Sequence, residues 1–147
     1  MKRKTQSARE TQIFAKEVAE NLIKKRRTKN AVVIGLIGDL GAGKTTFVKS
    51  FTRSLGVKRR ITSPTFLILR RFGIKRGIYR NVFHIDAYRV GGKERLPDIN
   101  FAEIIKNKSN IVLVEWADRV RRVLPKDTIW VQFKYGKERN EREIIID

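Results

Sequence analysis

The segment Gly38-Asp39-Leu40-Gly41-Ala42-Gly43-Lys44-Thr45 constrains the fold more than any other. It fits G-x-x-x-x-G-K-[ST] at every required position. Just upstream, Ala31–Ile37 is a short unbroken apolar run rich in β-branched residues, the pattern of a strand buried on both faces. Downstream, a helix is expected over Lys44–Leu55, stopped by Gly56 in the left-handed conformation. Strand, glycine loop and helix in that order form a phosphate-binding unit. The glycines let successive backbone N–H groups curl inward, and the helix N-terminus adds partial positive charge at the same point. Lys44 is expected to bridge the β- and γ-phosphates and the Thr45 hydroxyl to ligate Mg²⁺. The loop Gly38, Asp39, Leu40, Gly41, Ala42, Gly43, Lys44, Thr45 and Thr46 is therefore a candidate nucleoside triphosphate site.

The rest of the chain builds a sheet around that unit. Ser7-Ala8-Arg9-Glu10 has the form of a capping box, each side chain satisfying the other residue's free N–H. Phe14, Val18 and Leu22, with Ala15, Ala19 and Ile23 beside them, make the apolar stripe of a first helix ending near Lys24. Phe66–Phe72 and Ile78–Ile85 read as strands joined by a turn over Gly73–Gly77, and Ile111–Val114 as a further buried strand. Gly91–Lys108 reads as polar chain holding a short irregular helix. Thr128–Tyr135 and Arg142–Ile146 flank Gly136–Glu141 as a terminal hairpin. No repeat or linker divides the sequence. The expectation is one α/β P-loop NTPase domain over 1–147, with a mostly parallel sheet, flanking helices and a C-terminal antiparallel hairpin.

Composition excludes several chemistries. Zero cysteines remove disulfides, thiolate metal sites and cysteine nucleophiles, and the single histidine, His84, rules out a multi-histidine centre. No apolar stretch approaches the roughly 18 residues of a membrane span, and no signal core follows Met1–Lys4, so the reading is a soluble cytoplasmic protein. The 34 Lys and Arg against 15 Asp and Glu leave a net charge of +19, which attracts polyanions. The positive charges run along the whole chain, as a solvated basic surface would also require.

A P-loop enzyme also needs acids to hold the metal and to orient the attacking water. Two stand at the ends of buried runs, where an α/β sheet presents its ligands: Asp86 after Val82–Ile85 and Glu115 after Ile111–Val114. The residues alone leave open which one takes the metal. Ser63-Pro64-Thr65-Phe66 lies where hydroxyls could sense a γ-phosphate. His84 reads as a packed strand residue. Trp116 reads as core packing or as a platform beside the site.

Four motifs in order, GDLGAGKTT (Gly38–Thr46), SPTF (Ser63–Phe66), HIDAYR (His84–Arg89) and EWAD (Glu115–Asp118), resemble the bacterial TsaE family of tRNA threonylcarbamoyladenosine biosynthesis. The resemblance covers nearly the whole chain. It implies a P-loop ATPase using ATP and Mg²⁺, working with the TsaB and TsaD subunits that modify the adenosine next to the tRNA anticodon. It implies that Thr45 and Glu115 hold Mg²⁺, that Asp86 serves ATP hydrolysis together with Lys44, and that Arg89 lies near the nucleotide. Thr11 is the nearest match to a residue on the adenine side, and Arg139 or Arg142 of the hairpin also match nucleotide contacts. Ala87 and Val90 stand where the family more often has leucine, a packing change that leaves the polar residues intact. The +19 charge exceeds the family's habit and leaves weak direct tRNA contact open.

Two other classes fit the residues less well. A small-molecule kinase would need an acceptor pocket and an arginine-bearing lid, and the short segments between the motifs argue against it. A basic nucleic-acid module with a weak nucleotide site would not need intact Lys44, Thr45, Asp86 and Glu115, and no RNA-binding motif or stacking platform accompanies the charge.

Overall fold

The computed structural model describes residues 1–25, 29–60, 69–88, 96 and 99–147. The elements are β1 (Lys2–Thr5), α1 (Ala8–Lys25), β2 (Val32–Ile37), α2 (Lys44–Ser54), β3 (Leu69–Arg76), β4 (Tyr79–Asp86), α3 (Phe101–Lys106), β5 (Asn110–Glu115), a 3₁₀ segment (Ala117–Val123), β6 (Ile129–Tyr135) and β7 (Arg142–Ile146). The strands form one mixed sheet in the order β1-β7-β6-β2-β5-β4-β3. Its centre is parallel, β2 pairing with both β5 and β6, and β4 with β5. Antiparallel pairs close both sides: β3 on β4, and β7 between β6 and β1.

β2, and β5 between its polar ends Asn110 and Glu115, are unbroken apolar runs because both faces are covered. On one face α1 and α2 bring Phe14, Ala15, Ala19, Phe47 and Phe51 onto Ile34, Leu36 and Leu113. On the other, α3 and the 3₁₀ segment bring Phe101, Ile104 and Val120 onto Val33, Ile85 and Val112. Phe47 is fully buried, with edge contacts to Phe14 at 6.5 Å and Phe133 at 5.6 Å between ring centroids. It ties both helices and β6 directly behind the glycine loop, and its truncation to alanine should cost about 3–5 kcal/mol.

Several boundaries differ from the expectation. The capping box is present in altered form: Ser7 Oγ accepts from the Glu10 N–H at 3.2 Å, while the Glu10 carboxylate takes the Gln6 N–H at 2.8 Å instead of that of Ser7. The expected turn over Gly73–Gly77 is mostly strand. β3 runs on to Arg76, with an irregular register between Gly73 and Arg76, and the reversal is confined to Gly77-Ile78. Gly77 takes φ 59°, so one glycine suffices for a two-residue turn. Residues 66–68 of the expected strand lie outside the described residues, as do parts of Gly91–Lys108, whose helix is α3. β1 has no counterpart in the sequence reading: Lys-Arg-Lys-Thr has no apolar alternation, and β1 forms as an edge strand on β7.

Candidate functional site

The glycine loop sits between the end of β2 and the start of α2, against β6. Gly38 takes φ 143°, and a Cβ there would stand 2.5 Å from the Phe133 carbonyl oxygen. No other residue allows that approach without moving β6. Ala42 is buried and its N–H bonds to the Asp39 carbonyl at 3.1 Å, tightening the curl, while Leu40 at the tip is 82% exposed. Lys44 opens α2 and folds back over the loop. Its ammonium donates to the carbonyls of Gly38 and Asp39, the latter at 2.8 Å. It also lies 4.0 Å from the centre of the Trp116 ring. Burial pulls the Lys44 pKa below the ordinary lysine value, against the opposing pull of Glu115, Asp39, Asp118 and Asp86.

The two strand-end acids are register partners: Asp86 ends β4 directly opposite Glu115 at the end of β5. Both are buried. The Thr45 hydroxyl donates to Glu115 at 3.1 Å (Oε2) and 3.3 Å (Oε1). Asp86 Oδ1 accepts the Tyr88 N–H at 3.1 Å. Leu40, Lys44, Thr45, Asp86, Glu115 and Trp116 all line one cavity of about 460 Å³. Thr45 and Glu115 stand 70 positions apart in the chain, and parallel pairing of β2, β5 and β4 brings them and Asp86 together.

His84, read from the sequence as packing, belongs to this site. It is 0% exposed, and its Nε2 lies 2.8 Å from Glu115 Oε1. An ionised carboxylate can only accept, so Nε2 carries the proton and pins one oxygen of Glu115 while the other faces Thr45. The opposite nitrogen, Nδ1, is buried and has no hydrogen-bond partner among the described residues. One signal could have found this residue: His84 stands two positions before Asp86 on a strand, hence on the same face of the sheet. Tyr88 stands within the HIDAYR motif but has no role in the sequence reading. It is 53% exposed, packs 5.1 Å from Trp116 and carries the Arg119 guanidinium 4.3 Å above its ring. Trp116 itself takes φ 57°, an unusual backbone for a bulky residue, which turns its ring toward Lys44.

A second cavity of about 360 Å³ opens on the other flank of the same loop, lined by Ser7, Thr11, Gly43, Thr46, Asn140 and Arg142, among others. Thr11 is buried and its hydroxyl pairs with that of Thr5 at 3.0 Å. Arg142 stacks 4.4 Å from the Tyr135 ring, reaches the Gly41 carbonyl at 3.4 Å, and is braced by the carbonyls of Arg139 and Glu141 at 2.9 Å each. The Tyr135 hydroxyl donates to the Leu40 carbonyl, so the β6–β7 hairpin holds the loop from outside. Of the two hairpin arginines, Arg142 lines the cavity, while Arg139 is exposed and brings its carbonyl. Arg89 and Ser63–Phe66 lie outside the described residues. Among the described residues no helix is long and apolar enough to cross a membrane.

Comparison with known proteins agrees with this architecture. The family model for "Threonylcarbamoyl adenosine biosynthesis protein TsaE" matches residues 5–144. The tRNA threonylcarbamoyladenosine biosynthesis protein TsaE of Bacillus subtilis is 34% identical over 144 residues, covering 98% of this chain and 83% of that protein. The protein of the same name from Haemophilus influenzae is 31% identical over 132 residues, covering 90% and 80%. The crystal structure of YdiB from Bacillus subtilis superposes with a TM-score of 0.76 at 31% identity, over 99% of this chain and 83% of that one. With the family model spanning the glycine loop, both strand-end acids and the hairpin, the chain belongs to the TsaE family.

Proposed function

We propose that this protein is a Mg²⁺-dependent ATPase of tRNA threonylcarbamoyladenosine biosynthesis. In this reading, residues 1–147 are a single P-loop domain that works in the cytoplasm beside TsaB and TsaD. The observation that carries it is the convergence of Lys44, Thr45, Asp86 and Glu115 on one cavity at the head of α2. A triphosphate laid along the loop meets the N-terminus of α2, which opens at Lys44. Lys44 exchanges the Gly38 and Asp39 carbonyls for β- and γ-phosphate oxygens.

The donor set suits Mg²⁺. Thr45 and Glu115 offer hard oxygens within 3.3 Å of each other, directly or through water. Among the described residues there is no cluster of three or more His, Asp or Glu side chains for an all-protein cage. Such a sparse set is what an ion shared with phosphate requires. When bound, the ion would draw charge from the phosphate oxygens. His84 and Thr45 fix the Glu115 carboxylate before any ligand arrives. Asp86 accepts a hydrogen bond from the attacking water and aims it at the γ-phosphorus. The water oxygen bonds to phosphorus, the bond to the β–γ bridging oxygen breaks, and ADP and inorganic phosphate leave with the water's proton released. Thr11 and Arg142 on the second flank take the nucleoside side, with Arg139 at its rim and Arg89 joining from the segment after Asp86.

The test is reconstitution. Mixed with TsaB, TsaD and tRNA, the protein should make modification depend on ATP over repeated cycles, with one inorganic phosphate released per ATP consumed. Phosphate appearing on a small-molecule acceptor instead of in solution would replace this reading with a kinase.

A further inference from the structure

The charge is unevenly compensated, and the sheet has two different edges. From Thr46 to Ile85 the sequence contains no Asp or Glu at all, though an even spread of its 15 acids would put about four there. The same span carries ten Lys and Arg. In the fold it supplies α2, β3 and β4, so among the described residues the charge without a carboxylate partner collects at the β3 edge and the adjoining end of α2.

At the opposite edge every cation of β1 has a carboxylate partner: Lys2 with Glu143 at 2.7 Å, Arg3 with Glu17 at 2.9 Å and Lys4 with Glu141 at 3.4 Å. At the β3 edge the guanidinium groups bond to neutral groups instead. Arg59 donates to the Arg71 carbonyl at 3.3 Å, Arg71 to the Asn81 side chain at 2.9 Å, and Arg76 to the Ser54 carbonyl at 3.4 Å. These bonds fix the guanidinium forks and leave their charge whole. Arg53, Arg60 and Lys75 are exposed around them. Gathering like charges without acids costs self-repulsion, which a bound polyanion relieves.

We propose that the β3 edge, with the C-terminal end of α2, is an RNA-binding surface that grips the phosphate backbone of tRNA. This rests on the proposed role in tRNA modification, which supplies the RNA. Fixed guanidinium groups match phosphate oxygens in paired, directional bonds, which favours a nucleic-acid backbone over a diffuse anion. Because the contacts are to phosphate, binding is indifferent to anticodon sequence and leaves sequence choice to other subunits. None of Arg53, Arg59, Arg60, Arg71, Lys75 and Arg76 lines the cavity that holds Asp86 and Glu115, so the protein can hold RNA and nucleotide together.

The experiment compares two variants of equal net charge. One carries Arg59→Gln, Arg71→Gln and Arg76→Gln, the fixed guanidinium groups of the β3 edge; the other carries Lys2→Gln, Arg3→Gln and Lys4→Gln at the β1 edge. Binding of tRNA and of heparin is titrated by fluorescence anisotropy across a salt series, with thermal melting and ATP turnover measured on both variants. The β3-edge variant should lose at least about tenfold in tRNA affinity at physiological salt, its log–log salt slope falling by about 0.9 for each duplex phosphate it no longer neutralises. The β1-edge variant should keep tRNA affinity and slope, and both should hydrolyse saturating ATP at the parent rate. Equal losses in the two variants, or parent binding to heparin as strong as to tRNA, would reduce the effect to net charge and overturn the proposal. Unchanged tRNA binding with weakened association to TsaB and TsaD would make the edge a protein interface and overturn it too. If ATP turnover is absent from the parent while the edge-specific RNA loss stands, the ATPase reading fails and the RNA surface survives.

Discussion

On one flank of the glycine loop the wall is Asp86, Glu115 and Trp116; on the other it is Thr11, Asn140 and Arg142. The first wall is built from adjacent parallel strand ends in the middle of the sheet, where a continuous ladder from Asn81↔Asn110 to Asp86↔Glu115 sets the spacing of the two acids. The second is built from the chain's ends, an N-terminal helix and the tip of a C-terminal hairpin that meet over the loop. Two carboxylates beside a buried ammonium make the first flank highly charged and sheltered, so small displacements there change large energies. The second flank offers hydroxyls and one arginine already braced by carbonyls, a surface suited to orientation. The contrast predicts that substitutions on the first flank alter turnover and metal dependence, and those on the second alter affinity alone.

The largest loss of affinity should come where the flanks meet. Lys44→Met keeps the packing on Trp116 and removes the ammonium. A hydrogen bond to a charged group contributes about 1.5–3 kcal/mol, so calorimetry should register a loss of roughly 10- to 100-fold in ATP affinity. Unchanged affinity would mean that the two cavities do not share a phosphate site.

On the first flank, Asp86→Asn should slow hydrolysis by about 10²-fold or more with ATP affinity nearly intact, as expected of a group aimed at the attacking water. Equal losses of binding and turnover would make Asp86 a ground-state ligand. Glu115→Gln should remove the gain in affinity that Mg²⁺ provides. His84→Asn should weaken that Mg²⁺ dependence by about 10-fold or more, the usual cost of losing an outer-sphere partner, while metal-free nucleotide binding stays constant. A fall in metal-free binding would show that His84 only supports the fold.

How far the sequence can be read follows the same division. The first flank is assembled from segments whose signals are local: an apolar run ending in an acid, a glycine pattern, a helix start. Asp86 and Glu115 stand out because carboxylates are scarce in this chain. What stays hidden is pairwise. Nothing local to His84 says that Glu115 will lie 2.8 Å away, since that depends on β4 and β5 being neighbours in register. The second flank is legible only through family resemblance, because the approach of Thr11 and Arg142 depends on the β6–β7 hairpin folding back over the loop. β1 escapes notice because its strand character comes from β7, not from its own residues. The Gly73–Gly77 turn is misread because Gly73 looks like punctuation, whereas in β3 it occupies an edge position near a register irregularity.

On the second flank, Arg142→Ala should lower ATP affinity by roughly 10-fold, within the range for the removal of one charged hydrogen bond, while turnover at saturation stays near the parent value. Thr11→Val, which keeps the volume and removes the hydroxyl, should cost a few-fold at most. A fall in saturated turnover from either change would erase the proposed separation of chemistry from recognition.

The smallest effect concerns how the second flank is held. β1 carries Thr5, whose hydroxyl meets Thr11, and β1 is fastened to β7 partly by Lys2–Glu143 and Lys4–Glu141. Glu143 has its pKa lowered chiefly by the hydrogen bond from Lys2, and Glu141 chiefly by the Glu138 backbone N–H, with Lys4 adding to it. A carboxylate whose folded pKa lies below its unfolded value contributes stability that is complete above the unfolded value and is lost as pH falls through the folded one. Acidification through and below the ordinary glutamate range should therefore loosen β1 first. Both carboxylates are partly exposed and their lysine partners largely so, so the change is small and screened by salt. Amide hydrogen exchange, corrected for the intrinsic effect of pH, should show β1 and the first turn of α1 losing protection while β2 and β5 keep theirs. Simultaneous loss along β1 and β5 would mean that the two flanks share one cooperative unit and that the peripheral wall is as firmly held as the central one.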